Sequence, residues 1–283
     1  MANLKELRTR IVSIGNTMKI TSAMKMVSAA KLKKAQDAIQ SMRPYSQKLT
    51  EILQNVSSSL SADENPYAQQ REVKKVLLVL MTSNRGLCGP FNSSVIKRGY
   101  ARINQLKDVE VEVMTIGKKA YDLYKRTGKV VARETEIWNN LTYENNTEIA
   151  NTLMQGFAAG KWDRIEILYN QFKNAAVQEV QVEQYLPIQL SESNSQGTDY
   201  LYEPSKAQIV EELIPISLKT QLFKAFLDSN ASEHGARMTA MHKATDNAKD
   251  LKGALTLEYN KARQAAITNE ILEIVSGANA LEG

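Results

Sequence analysis

The sequence predicts an α/β fold plus a long helical coiled coil: N- and C-terminal helices form an antiparallel two-helix shaft, with a central Rossmann-like α/β domain. Three observations carry that expectation. No proline follows Pro215, so nothing interrupts a helix from about Ile216 to Leu281, a rod roughly 100 Å long at helical rise. An apolar heptad begins at Leu4 and continues past Ala35. Between the two, short apolar runs alternate with helix-periodic stretches, the pattern of a parallel sheet with crossover helices.

In the first helix the repeat reads Leu4, Leu7, Ile11, Ile14, Met18, Thr21, Lys25, Ser28, Leu32, Ala35, Ile39 and Met42. The three polar members are consecutive, and around them Ala23, Met24, Met26 and Val27 place apolar surface off the seam. Such a local failure marks either a site gripped from outside or an adjustment of register. Pro44 is expected to kink or end the rod, with Leu49, Leu53, Val56 and Leu60 continuing as helix.

The polar stretch from Ser57 to Tyr67 reads as a linker. Val76 to Met81 is an unbroken apolar run, as in a strand buried on both faces. A loop from Thr82 to Pro90 leads into a helix through Ile96 and Ile103. Further strands are expected at Val109–Ile116, Lys129–Arg133, Arg164–Tyr169 and, alternating and at an edge, Val177–Tyr185. Lys118–Arg126 and Asn145–Ala159 read as helices, and Asp199–Glu203 as an added strand. The division is then residues 1–60 for the N-terminal shaft helix, 70–206 for the α/β domain and 208–283 for the C-terminal shaft helix.

The last helix has its own seam: Met238, Met241, Thr245, Ala248, Lys252, Leu255, Tyr259, Ala262 and Ala266. These fillers are small or soft, which favours close approach over maximal burial. Past Ala266 the apolar stripe moves to Ile267, Ile271, Ile274 and Ala278, while the old seam turns polar at Asn269, Glu273 and Ser276. A helix that changes its buried face changes its partner. If the rods leave the central domain near Pro44 and Ile216, paired residue numbers sum to about 260 and Leu4 lies level with roughly Thr256. Everything beyond then has no partner within the chain and is to be covered by another protein.

Charge is unevenly placed: residues 1–50 carry ten Lys/Arg against two acids, and residues 217–283 carry eight of each. A basic end can meet nucleic acid or an anionic membrane, but no aromatic stacking residue precedes Tyr45, so an acidic protein partner is favoured. The single cysteine, Cys88, forms no internal disulfide and fits a reducing compartment. No apolar run approaches membrane-spanning length. The basic, acid-poor start mimics an organelle-targeting peptide, but the heptad begins at once, so a mature cytoplasmic chain is expected.

The competing reading is a nucleotide-binding Rossmann-type enzyme with helical arms, and a third is a basic coiled-coil adaptor for nucleic acid. The enzyme reading rests on the glycine loop from Ser83 to Pro90, which sits where doubly wound folds hold phosphates. That loop lacks G-x-G-x-x-G and Gly-Lys-Ser/Thr, and Pro90 removes a donor where the helix should offer one. His234 and His242 have no cysteine nearby for zinc, and Cys88 has no histidine in its own domain. No catalytic residue, cofactor or metal site is expected.

The run from Ala262 to Ala278, with its Thr268-Asn269-Glu270 and Ser276-Gly277-Ala278 identities, resembles the C-terminal signature of the gamma subunit of bacterial F-type ATP synthases. So do Ala236 to Met241, Ala244 to Ala248 and, in the first helix, Asn16 to Thr21 and Ala23 to Val27. The resemblance implies a non-catalytic central-stalk rotor that couples c-ring rotation, driven by proton flow, to conformational cycling of the beta subunits that make ATP. It implies as partners the alpha and beta subunits of the catalytic ring, the epsilon subunit and the membrane c-ring. It also implies a peripheral place at the cytoplasmic face of the cell membrane, without insertion and without nucleic acid. Carried onto this chain, Met24 lies near the moving part of beta. Arg237, Gln264, Thr268 and Glu270 touch loops of the ring, and Ile267 and Ile271 lie on the face the ring covers. Plainer readings stand beside these: seam packing for Met24, a solvated charge for Arg237, a helix filler for Thr268. Asn194 to Tyr202 is the expected c-ring contact, and thiol control of the chloroplast type is not expected.

Overall fold

In a computed structural model of the chain, residues 4–57, 66–188 and 206–282 are described. Most of the expected linker, the expected Asp199–Glu203 strand and the Asn194–Tyr202 region lie outside the described residues. In chain order the elements are α1 (Leu4–Ser57), β1 (Lys75–Met81), α2 (Phe91–Gln105), β2 (Glu110–Ile116), α3 (Lys118–Tyr124), β3 (Val130–Glu134), α4 (Tyr143–Ala158), β4 (Arg164–Phe172), β5 (Gln178–Leu186) and α5 (Lys206–Glu282). Neither proline ends its helix: Pro44 lies inside α1, and Pro215 lies inside α5, which begins well before the expected Ile216. An interior proline removes one backbone hydrogen bond, a loss of about 3 kcal/mol, which the packing of a long helix can outweigh.

Two compact units divide the chain within both long helices. One is Ser28–Arg237; the other is α1 up to Val27 together with α5 from Met238 onward.

In the first unit the strands lie in the order β3-β2-β1-β4-β5. The first four are parallel, and β5 runs antiparallel to β4 at the edge, as its alternating sequence predicts. Val76 to Met81 in β1 are wholly buried, because the sheet is covered on both faces. Leu77, Val79 and Met81 share a core with Leu153 and Phe157 of α4 and with Leu218, Leu222 and Phe226 of α5. Val76, Leu78 and Leu80 share the other with Val95 and Ile96 of α2 and Ala120 and Tyr124 of α3. Gly117 closes the β2–α3 turn at φ +97, and a Cβ there would stand 1.9 Å from the Thr82 carbonyl oxygen, so only glycine fits.

From Ala225 to Arg237, α5 is buried around nearly its whole circumference. Small residues permit this: Ala225, Ser229, Ala231, Ser232, Gly235 and Ala236 leave room for neighbours on every side. Here Ser232 Oγ donates to the Asn170 carbonyl at 2.9 Å.

In the second unit α1 and α5 pair antiparallel. Thr245 Oγ1 donates to Thr21 Oγ1 at 2.8 Å, Lys25 Nζ lies 3.3 Å from His242 Nδ1, and a Cβ on Gly15 would lie 3.8 Å from Lys252 Nζ. Paired numbers therefore sum to 266 or 267, not about 260. The shorter sum treated the prolines as helix ends, and neither is one. Leu4 then lies level with about residue 262, a turn and a half beyond Thr256.

Candidate partner interface

The seams read from the sequence are the faces the helices bury. Leu7 is 2 % exposed, and Ile11, Ile14 and Met18 are half-buried along α1. Met241 and Ala248 are buried along α5, with Leu255, Tyr259 and Ala262 half-buried. Among the residues of α5 whose burial is described, Ala262 is the last that is not exposed: every residue from Arg263 to Asn279 is exposed. The covered seam stops at the level of Leu4, the first described residue of α1.

Beyond that point α5 carries Ile267, Ile271, Leu272, Ile274 and Val275 in the open, between 47 % and 68 % exposed. Ile267, Ile271, Ile274 and Val275 follow helical spacing onto one face. Gln264 lies in line with that face one turn earlier and Glu270 lies beside it, both exposed. Thr268 is exposed as well, and its hydroxyl donates to the Gln264 carbonyl at 2.9 Å within the helix. Apolar surface this concentrated on a single helix is unusual for a chain on its own.

On α1 two of the three polar residues that interrupt the heptad are buried, and Lys25 is half-buried. Thr21 and Ser28 are 9 % and 3 % exposed, because their small side chains allow close approach and Thr21 shares a hydrogen bond with Thr245. The opposite face shows Val12, Ile20, Ala23, Met26 and Val27 to solvent. Met24 is half-buried between the two faces.

Arg237 is neither a solvated charge nor a surface group. It is 8 % exposed and its Nη2 lies 2.7 Å from Glu233 Oε1. The same guanidinium donates to the carbonyls of Arg85 and Gly86, each at 3.4 Å. Burial pushes Glu233 up from the usual carboxylate range. It also pushes His234 down to about 4, helped by Arg237 and Lys31.

The Ser83–Pro90 loop is thereby occupied by α5 and by itself. Asn92 accepts from the Ser83 amide at 2.9 Å and donates to Cys88 Sγ at 3.1 Å, and Cys88 packs with Phe91 and Ala236. Two of the loop's carbonyls, those of Arg85 and Gly86, are turned toward the Arg237 cation. Burial raises the Cys88 thiol, which works against thiolate chemistry there. Among the described residues no helix is long and apolar enough to cross a membrane.

A family model described as ATP synthase matches residues 3–281. A chain from Flavobacterium johnsoniae named ATP synthase gamma chain is 61 % identical over 286 residues, covering 100 % of both chains. This chain belongs to the ATP synthase gamma chain family. A gamma chain from Cytophaga hutchinsonii is 49 % identical over 99 % of each chain. Among solved structures, a chain of the Tetrahymena thermophila mitochondrial ATP synthase central stalk and c-ring matches with a TM-score of 0.60 and 26 % identity, over 80 % of this chain and 99 % of its own. A chain of the Euglena gracilis mitochondrial ATP synthase shares the fold with a TM-score of 0.71 at 21 % identity, over 98 % of this chain and 94 % of its own. With the family in hand, the chain is a non-catalytic gamma-type subunit, and the nucleotide-binding enzyme alternative is not favoured.

Sequence reasoning did not foresee the all-round burial of Ala225–Arg237 or the docking of the Ser83–Pro90 loop on α5. The signal was present as six alanine, serine and glycine residues in thirteen, with Glu233 and Arg237 four apart, close enough to pair internally. It also did not foresee Asp228, a carboxylate 5 % exposed beside a cleft of about 220 Å³ lined by Ile39, Arg43, Phe172 and Lys224.

Proposed function

We propose that this chain is the rotating central stalk of a proton-translocating ATP synthase, seated within a ring of alpha and beta subunits. The supporting observation is the exposed apolar end of α5, Ile267 to Val275, beyond the reach of α1. In this reading Met24, Gln264, Ile267, Thr268, Glu270 and Ile271 meet the ring. Arg237 acts from inside, through the loop whose carbonyls it holds. Segments 1–60 and 208–283 serve together as the shaft, and 70–206 serves as the base that joins the epsilon subunit and the membrane c-ring. The complex is peripheral at the cytoplasmic face of the cell membrane.

ATP is made on the beta subunits. The c-ring turns the base, and the shaft, whose faces differ, favours a different conformation at each of the beta sites. Orientation and nucleotide affinity are then linked by one coupling free energy, reciprocal between the two. Half-exposed isoleucines suit such contacts: burying each contributes about 1 kcal/mol, enough to guide a face and too little to trap it. Purifying the assembly from cells tests the reading. Co-isolation of alpha and beta subunits is expected; recovery of the chain alone, or with nucleic acid, would overturn it.

A further inference from the structure

Past the buried Phe226 and Leu227, the apolar side chains of α5 as far as Arg237 are alanines alone, and apolar packing there gives little resistance to turning about the helix axis. Resistance needs directional contacts. In the Ser28–Arg237 unit these reach α5 at separate heights. Tyr185 Oη donates to the Leu218 carbonyl at 3.2 Å and Asn146 Nδ2 to the Lys219 carbonyl at 2.9 Å. Ser232 reaches Asn170, and the Arg237 fork takes the carbonyls of Arg85 and Gly86 while Glu233 neutralises it. The last is the costly one, since a buried ion pair stabilises little over an apolar pair of the same shape, and what it adds is fixed direction.

We propose that Glu233 and Arg237 form a latch through which the sheet holds α5 against rotation about its own axis, and that they are positioning residues for torque transfer. The inference rests on the rotor reading for its purpose but not for its geometry. The latch is local: Arg237 and Glu233 sit one turn apart on α5, and the turn they grip follows directly on β1, the central strand of the sheet. Strain applied to the sheet reaches α5 here through bonds whose angles oppose twist.

Two measurements test it. In amide exchange of the full chain, Arg237→Gln should quicken the amides of residues 85–89 by about tenfold while β1 keeps its rate, because one neutral amide cannot replace a charged fork. Unchanged loop amides would overturn the latch whatever the function of the chain. In the reconstituted complex, protons pumped per ATP hydrolysed should fall at least about twofold for Arg237→Gln. Arg237→Lys should fall between, since it keeps the charge but cannot hold both carbonyls. A ratio equal to wild type in Arg237→Gln would overturn the torque role even if the loop loosens. Failure of the wild-type chain to join alpha and beta subunits would instead count against the rotor reading, with the exchange result still deciding the latch.

Discussion

Leu7→Ala tests where the two-helix seam ends. Leu7 is 2 % exposed, one of the most buried side chains of its unit. Large-to-small changes of this kind cost about 2–5 kcal/mol, and a two-helix unit can close part of the void, so about 2–3 kcal/mol is expected. At 1.4 kcal/mol per tenfold, local opening should become roughly 30- to 150-fold more frequent. Amide exchange of the full chain reads this directly. Residues 8–14 and the facing stretch 252–260 should quicken together, because the register pairs them. Ile271→Ala is the control: Ile271 is 54 % exposed, so its removal should stay within about 0.5 kcal/mol. Residues 263–279 should exchange fast in the free chain and gain protection on adding alpha and beta subunits. If the two substitutions had equal effects, or if the tail were already protected in the free chain, the register and the exposed end would both be wrong.

Opposite pH responses are expected from two buried groups. Burial raises Asp228 to about 6 against the pull of Lys224 and Arg43, so its protonated form favours the fold and this contribution is lost as pH rises from about 4 to about 6. His234, lowered to about 4, favours the fold when neutral, and its contribution is lost as pH falls from about 6.5 toward 4. Urea titrations across that window should therefore show Asp228→Asn gaining on wild type as pH rises, and His234→Asn gaining as pH falls; parallel curves would remove both assignments. Gly117→Ala should cost more than about 3 kcal/mol, read as a lowered urea midpoint, because the left-handed turn and the Thr82 carbonyl leave no space for a methyl group. Met24→Lys should lower proton pumping per ATP more than it lowers assembly, since the half-buried side chain borders an exposed apolar face; lost assembly with pumping ratio intact would refute that placement.

The terminal seams were legible residue by residue, because a helix that packs along another must repeat its small and apolar residues every three or four positions, and nothing else satisfies that spacing. Met238 to Ala262 and Leu4 to Met42 follow the faces the structure covers. The strands were legible for a similar reason: Val76 to Met81 can be so uniformly apolar only where both faces are covered. The sequence also showed a change of face, to Ile267, Ile271 and Ile274, but placed it past Ala266. The cover ends at Ala262 and Ala266 is exposed, because the register runs six or seven residues further than the prolines suggested.

What the sequence could not decide were relations between distant residues. The pairing register came out six or seven residues too short, because proline is a local signal and long packed helices absorb its loss. The role of Arg237 was likewise open, since a charge four residues from a glutamate reads equally as a solvated pair or a buried one. Only tertiary structure placed the Arg85 and Gly86 carbonyls against it, some hundred and fifty residues away in the chain, and so turned a surface-type residue into an interior one. Periodicity is a property of one segment and can be read from it; burial of a polar side chain depends on which other segment arrives with the matching partner.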